Sequence, residues 1–230
     1  MHVDSDDWIE PTMVEEAIKK QKESDYDIVS MDFNVHYPKY KKIVKQPDIT
    51  NNAELTKQLI ISYVHSVWAR LIRTSLYKEN NVRNIEGINY SEDLQIMPIL
   101  TYYASKIGVL HKALYNYNCM NETAYTIQKT NAIKQQTKTT LQTLYNFFKN
   151  KSEEYIEAIN ICTAKSLCVE IFNKSHITKS DIEILKNYKN YTKYFPSQQK
   201  IFFLSKKPCI LNFYKKVYKY TTHILFKRMK

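Results

Sequence analysis

The sequence predicts an α/β region followed by an α-helical, basic one, and three observations carry that division. Strand-like alternation and helix-like periodicity follow one another as far as Tyr117, and beyond it every periodic segment reads as helix. Charge divides at nearly the same place: residues 1–118 hold 14 Lys+Arg against 16 Asp+Glu, while residues 119–230 hold 20 against 7. With 230 residues, 43% of them hydrophobic and 13% aromatic, the chain can bury a core and form one ordinary domain with an appendage. The expected organisation is an α/β domain over residues 1–118 and a basic helical extension over 119–230.

The chain opens with Val3-Asp4-Ser5-Asp6-Asp7-Trp8-Ile9-Glu10-Pro11, three carboxylates crowded together directly ahead of a helix. Like charges that close repel, and a divalent cation is the natural agent to hold them. Asp4 and Asp6, two positions apart, can turn to one side of the backbone as hard oxygen ligands. A metal with so few protein ligands keeps water and binds phosphate oxygens, which points to a metal-bridged phosphate substrate. Local chemistry offers a second explanation. Asp and Ser are common N-caps, and Pro11 followed by Glu15 and Glu16 is a helix start with acids in its first turn. An EF-hand is excluded, because Trp8 and Ile9 stand where that loop needs an acid and a glycine.

Residues 12–22 follow as a helix with Met13, Ala17 and Ile18 on one side. Residues 26–37 alternate as a strand that Pro38 closes, and residues 40–44 supply the returning strand of a hairpin. Asn51 or Asn52 caps a helix through Leu55, Leu59 and Ile60. Residues 66–73 read as a short buried strand before a helix over 74–80. Ser91 is the expected N-cap of the next helix, with Glu92 and Asp93 in its first turn and Leu94, Met97, Ile99 and Leu100 on its apolar face. The helix dipole alone would favour acids there. Residues 131–149, 152–172, 180–187, 197–204 and 209–226 are expected to be helices separated by polar turns or prolines.

Taken in order, Asp-x-Asp-Asp-Trp-Ile-x-Pro, a helix, an Asp-Ile-Val strand, Val67-Trp68-x-x-Leu71-Ile72, Glu92-Asp93-Leu94 opening a helix, and Leu114-Tyr115-Asn116-Tyr117 resemble the second half of a family 2 glycosyltransferase of the GT-A fold. The resemblance covers about half of the chain and implies a partial nucleotide-diphospho-sugar transferase fold. It implies that Asp6, assisted by Asp4, holds a divalent metal (Mn²⁺ or Mg²⁺) on the diphosphate of a nucleotide-sugar donor, Asp4 alternatively meeting the ribose. It makes Asp93 the general base, with Glu92 beside it, and sets Trp68 on the acceptor side, where an ordinary core tryptophan is the alternative. It further implies an inverting transfer to a polysaccharide or lipid-linked acceptor at the cytoplasmic face of a membrane. Members of the family begin with an Ile-Ile-Pro-x-Tyr-Asn strand and an Asp-Asp-x-Ser segment that reads the nucleotide, and this sequence starts after both. The expectation is therefore a truncated chain, or one whose sheet a partner chain completes.

Composition narrows the chemistry. Two glycines, Gly87 and Gly108, exclude Gly-rich phosphate loops and a dinucleotide fingerprint. The four cysteines lack Cys-x-x-Cys spacing and read as buried, reduced thiols. The N-terminus has neither a basic nor an apolar run, and no stretch reaches membrane-spanning length, so a cytoplasmic protein is expected. Residues 200–230 hold nine Lys+Arg and no acids. In the last helix Ile210, Phe213, Tyr214, Val217, Tyr218, Ile224 and Leu225 are expected on one side, and Lys215, Lys216 and Lys219 on another. Such a helix suits peripheral contact with an anionic membrane, or packing with a solvated lysine face. A non-catalytic remnant that binds a membrane or a partner protein through this half is the second functional class. Nucleic acid, the third, lacks any recognised motif here despite the tyrosines among the lysines.

Overall fold

The alternating run after the first helix is the strand β2 (Ile28–His36), and eight of its nine residues are buried. The structure is a computed structural model that describes residues 1–62, 65–121, 131–195, 200, 203–205 and 207–216. Burial on both faces needs cover on both. Met31, Phe33 and Val35 pack with Met13 and Ala17 of α1 (Met13–Ser24) and with Tyr115 of β5 (Ile107–Asn118). Ser30, Asp32 and Asn34 alternate with them onto the other face, and all three are buried polar groups with hydrogen-bond partners.

The sheet runs β1-β5-β2-β3, with β4 also on β2; β1 is Trp8–Ile9, β3 is Lys41–Val44 and β4 is Arg70–Ile72. The β2–β5 pairing is parallel and the others are antiparallel. Strand β5 was not legible as one, because Gly108, His111 and Lys112 break its alternation. Each has a reason in the fold. A Cβ on Gly108 would stand 2.8 Å from the Tyr26 ring. Met31 pairs with Leu110 and Phe33 with Tyr115, so residues 111–114 bulge opposite Asp32. The bulge presents the Leu114 carbonyl to the Glu10 N–H at 2.8 Å and the Ala113 carbonyl to the Asn34 amide at 3.1 Å. It also puts His111 between two carboxylates. Nδ1 lies 3.2 Å from both oxygens of Asp32, Nε2 lies 2.7 Å from Asp48, and Asp32 accepts the Gln46 N–H at 2.7 Å.

Asp48 first, and then Asp32, raise the His111 pKa above its ordinary value. A cation held this way stabilises the fold below the unfolded-state pKa, and the contribution is lost as pH rises through the higher folded-state value. Asp48→Asn is therefore expected to lower the melting temperature at pH 6 and to change it little at pH 9, as read by thermal denaturation at the two pH values.

Helix α2 (Asn52–Ile61) begins where the sequence placed its cap, with the Asn51 side chain accepting from the Glu54 N–H at 2.9 Å. Its Leu55, Leu59 and Ile60 are buried, and it packs on α4 (Glu92–Tyr103), whose residues from Leu94 to Thr101 are all buried. Tyr102 then meets Phe148 of α5 (Asn131–Phe148) edge to face at 5.7 Å. The chain divides into two compact units, Met1–Ile156 and Glu157–Lys230.

Several local expectations change. The strand expected over 66–73 is confined to Arg70–Ile72, because Ala69 takes a left-handed conformation at φ 53° that ends the extended run, and α3 (Thr74–Glu79) follows. Ser91 stands before α4 at φ 64° and makes no capping bond through its side chain. The four cysteines are free, but Cys119 and Cys209 are exposed rather than buried.

In the second unit, the part of α6 (Glu153–Asn173) from Glu157 onward, α7 (Lys179–Lys186) and a 3-10 turn at Lys189–Tyr194 enclose a core that includes Ala164, Ile171, Ile177 and Leu185. A full capping box between Thr178 and Asp181 starts α7. Residues 208–216 are helical, with Leu211 at 0% exposure and Lys215 at 6%, whereas Ile210 and Phe213 are exposed. The buried side of this helix thus runs through Leu211 and Tyr214, not through Ile210 and Phe213. Most of the helix expected over 197–204 lies outside the described residues, as do Val217, Tyr218, Lys219, Ile224 and Leu225. No helix among the described residues is long and apolar enough to cross a membrane.

Candidate active site

The acidic opening is tied down by β5. Tyr115, fully buried just beyond the bulge, donates its hydroxyl to Asp7 Oδ2 at 2.6 Å and accepts the Asp4 N–H at 3.1 Å. Asp7 Oδ1 takes the Asn118 N–H at 2.8 Å, and the Asp7 N–H closes a turn on the Asp4 carbonyl at 3.2 Å. Asp7 therefore serves as the fastener of the loop. Antiparallel pairing of Trp8 and Ile9 with Asn116 and Tyr115 continues the attachment. Asp6 accepts from the Asn121 amide at 2.7 Å through Oδ2.

The second half of the site is the start of α4. Burial pushes the Asp93 carboxyl up to about 7; the charges of Glu92 and Asp4 add to this, and the Val67 N–H and the Arg70 guanidinium oppose it. Burial likewise raises Glu92, again with Asp4 contributing. Asp4 itself is raised by burial and then by Asp7 and Asp6. The charge of Asp4 thus reaches both Glu92 and Asp93, although about ninety residues separate them in sequence. Tyr77 lines the same region. Its pKa is pushed up to about 12 by burial and by Asp93, and its hydroxyl lies 3.3 Å from His2 Nε2.

Between these halves runs the segment from Ser66 to Arg70. Trp68 stacks on Tyr115 at 4.8 Å and on Tyr117 at 5.2 Å, with Phe33 edge-on at 4.8 Å. The indole is thus a packing residue of the core that holds Tyr115, while Trp8, ahead of it, is 44% exposed and rests on His36 at 4.5 Å. Arg70 is almost wholly buried and donates to Ser30 Oγ and Ser66 Oγ at 3.2 Å and to Gln46 Oε1 at 3.4 Å. Burial lowers its pKa to about 10.

With both oxygens of Asp7 engaged, Asp4 and Asp6 remain as hard oxygen donors. Two carboxylates at an open loop fit a Mg²⁺ or Mn²⁺ ion that keeps water and completes its shell with phosphate oxygens. Among the described residues, no group of three or more His, Cys, Asp and Glu gathers as a metal site. Tyr115 and Arg70 were missed as site residues. Tyr115 lay within one quoted motif and Arg70 at an unspecified position of another, and only contacts distant in sequence, to Asp4 and Asp7 and to Ser30 and Gln46, reveal what they do.

No family model matches the sequence, and no curated protein matches it either. Among solved structures, the chain is similar to S. aureus TarS 1–349, with a TM-score of 0.56 and 17% identity over 95% of this chain and 66% of that one. Its likeness to the same protein in complex with UDP-GlcNAc has a TM-score of 0.50 at 18% identity, over 93% of this chain and 62% of that one. The chain thus spans just under two thirds of those structures, and its fold is glycosyltransferase-like.

Proposed function

We propose that the protein is a glycosyltransferase of family 2 type that takes a nucleotide-sugar donor, with UDP-GlcNAc, the ligand in a TarS complex, as the first candidate. What supports this reading is that the charge of Asp4, in the opening loop, acts on both Glu92 and Asp93 at the start of α4, beside a glycosyltransferase-like fold. Asp93 is the general base. Its carboxylate takes the proton of the acceptor hydroxyl as that oxygen bonds to the anomeric carbon and the bond to the leaving diphosphate breaks. One such displacement inverts configuration. A base with a pKa near neutrality is half-ionised at working pH and still strong enough to accept the proton. Asp6 and Asp4 would hold the divalent ion, which when bound neutralises charge on the leaving diphosphate. Tyr115 and Asp7 hold their loop in place. The acceptor is a polysaccharide or lipid-linked sugar, and the site of action is the cytoplasm or the inner membrane face.

The test is a panel of nucleotide sugars with Mn²⁺ or Mg²⁺, read by calorimetry and by donor hydrolysis or transfer. UDP-GlcNAc is expected to bind in a metal-dependent way, and Asp6→Ala to weaken that binding by about tenfold or more. No binding or turnover with any donor would end the enzymatic reading.

A second reading has its own observation. In the basic second unit Phe213 is 69% exposed, Leu204 64% and Ile210 46%, apolar groups suited to enter an anionic interface. Co-sedimentation with vesicles containing phosphatidylglycerol is expected, and Phe213→Ser is expected to reduce it. Equal binding to neutral vesicles, or none to either, would remove this role. A partner chain along β5, which β1 pairs only at Tyr115 and Asn116 among the described residues, belongs to the same class of proposals.

A further inference from the structure

Five residues, Ser66 to Arg70, join the aromatic stack around Tyr115 to strand β2. In the middle Trp68 lies flat on Tyr115, with 15° between the rings, and the Tyr115 hydroxyl holds Asp7 and the Asp4 N–H. At the far end Arg70 is locked on Ser30 of β2, on Ser66 of its own segment and on Gln46 of the loop after β3. Ala69, fully buried, is held at φ 53°, and its carbonyl accepts the Met31 N–H at 2.9 Å. A left-handed alanine is strained and persists only where its surroundings enforce it. Here it turns the chain so that Trp68 enters the aromatic stack while Arg70 joins β2.

We infer that Trp68 is a positioning residue: from inside the fold it fixes the loop whose acids meet the donor. Its side chain needs no contact with substrate. Trp68 acts through Tyr115 on Asp4 and Asp7, and the Arg70 hydrogen bonds to Ser30, Ser66 and Gln46 hold the segment that carries it.

The inference rests on the proposed transferase activity, and its test separates the two. In an active enzyme, Trp68→Ala is expected to raise the donor KM by about tenfold or more through loss of loop position, with Trp68→Phe restoring most of it. Folded Trp68→Ala with an unchanged donor KM would overturn the inference. Amide hydrogen exchange supplies a readout that needs no turnover. Asp4 and Asn118, whose N–H groups bond to Tyr115 and Asp7, are expected to exchange faster in Trp68→Ala and Trp68→Phe, more so in the former. Unchanged exchange at both would refute the role of Trp68 even in a protein without transferase activity.

Discussion

Asp93→Asn is expected to lower kcat by about three orders of magnitude and to leave donor binding nearly intact. General bases contribute roughly 10²- to 10⁴-fold, and the asparagine amide fills the same space without accepting a proton. The pH profile of the unsubstituted enzyme should identify the same group. Asp93 titrates at about 7, and only its ionised form can act as base, so kcat/KM should rise through neutrality and level off above it. Stability should move in the opposite direction. A carboxyl whose folded pKa lies above its unfolded value binds its proton more tightly in the native state, so stability falls as pH rises from about 4 to about 7. Asn carries no such penalty. In the absence of donor and metal, Asp93→Asn at pH 8 is expected to be more stable than the parent by up to about 3 kcal/mol. A substitution that gains stability and loses turnover marks a residue kept for chemistry. Retained turnover in Asp93→Asn would remove the base from this site.

Much of this arrangement was legible in the residues, and the illegible parts share a cause. Helices α1, α2, α5, α6 and α7 follow from periodicity and caps, as with Asn51 ahead of α2, because these signals lie within a few residues of one another. The hairpin of β2 and β3 follows from alternation ending at Pro38. Strand β5 does not, since Gly108 is dictated by Tyr26 and the bulge at residues 111–114 by Asp32, both far away in sequence. The same distance hid Tyr115. Its hydroxyl partners lie more than a hundred residues earlier, so nothing near it in the chain marks it as a fastener. Asp4, Asp6 and Asp93 could be singled out because their carboxylates are conspicuous. Ala69 and Ser91 show the reverse: an alanine and a serine in left-handed backbone follow from tertiary contacts that no local propensity records.

Tyr115 carries the other large effect, and two substitutions divide it. Tyr115→Ala removes a fully buried ring from the stack of Trp68 and Tyr117 and from the cluster with Met13, Ala17, Met31 and Phe33. Deleting a buried aromatic of this size costs about 3–5 kcal/mol through lost transfer energy and the cavity left behind. For a protein of ordinary stability that is enough to unfold a large share of the chains, as chemical denaturation would report. Tyr115→Phe keeps the ring and removes only the hydroxyl, which leaves Asp7 Oδ2 and the Asp4 N–H without their shared partner. A lost hydrogen bond to a charged group costs roughly 1.5–3 kcal/mol, and here part of that cost is recovered because the loop can turn toward water. The fold should therefore survive in Tyr115→Phe while the loop that bears Asp4 and Asp6 loosens. Donor KM is expected to rise by tenfold to about a hundredfold, because displacement of a positioning group by about 1 Å is costly, and kcat at saturating donor should change less. If Tyr115→Phe binds donor as tightly as the parent, the hydroxyl bridge is a stability feature only, and the loop is positioned by the β1–β5 pairing at Trp8 and Ile9.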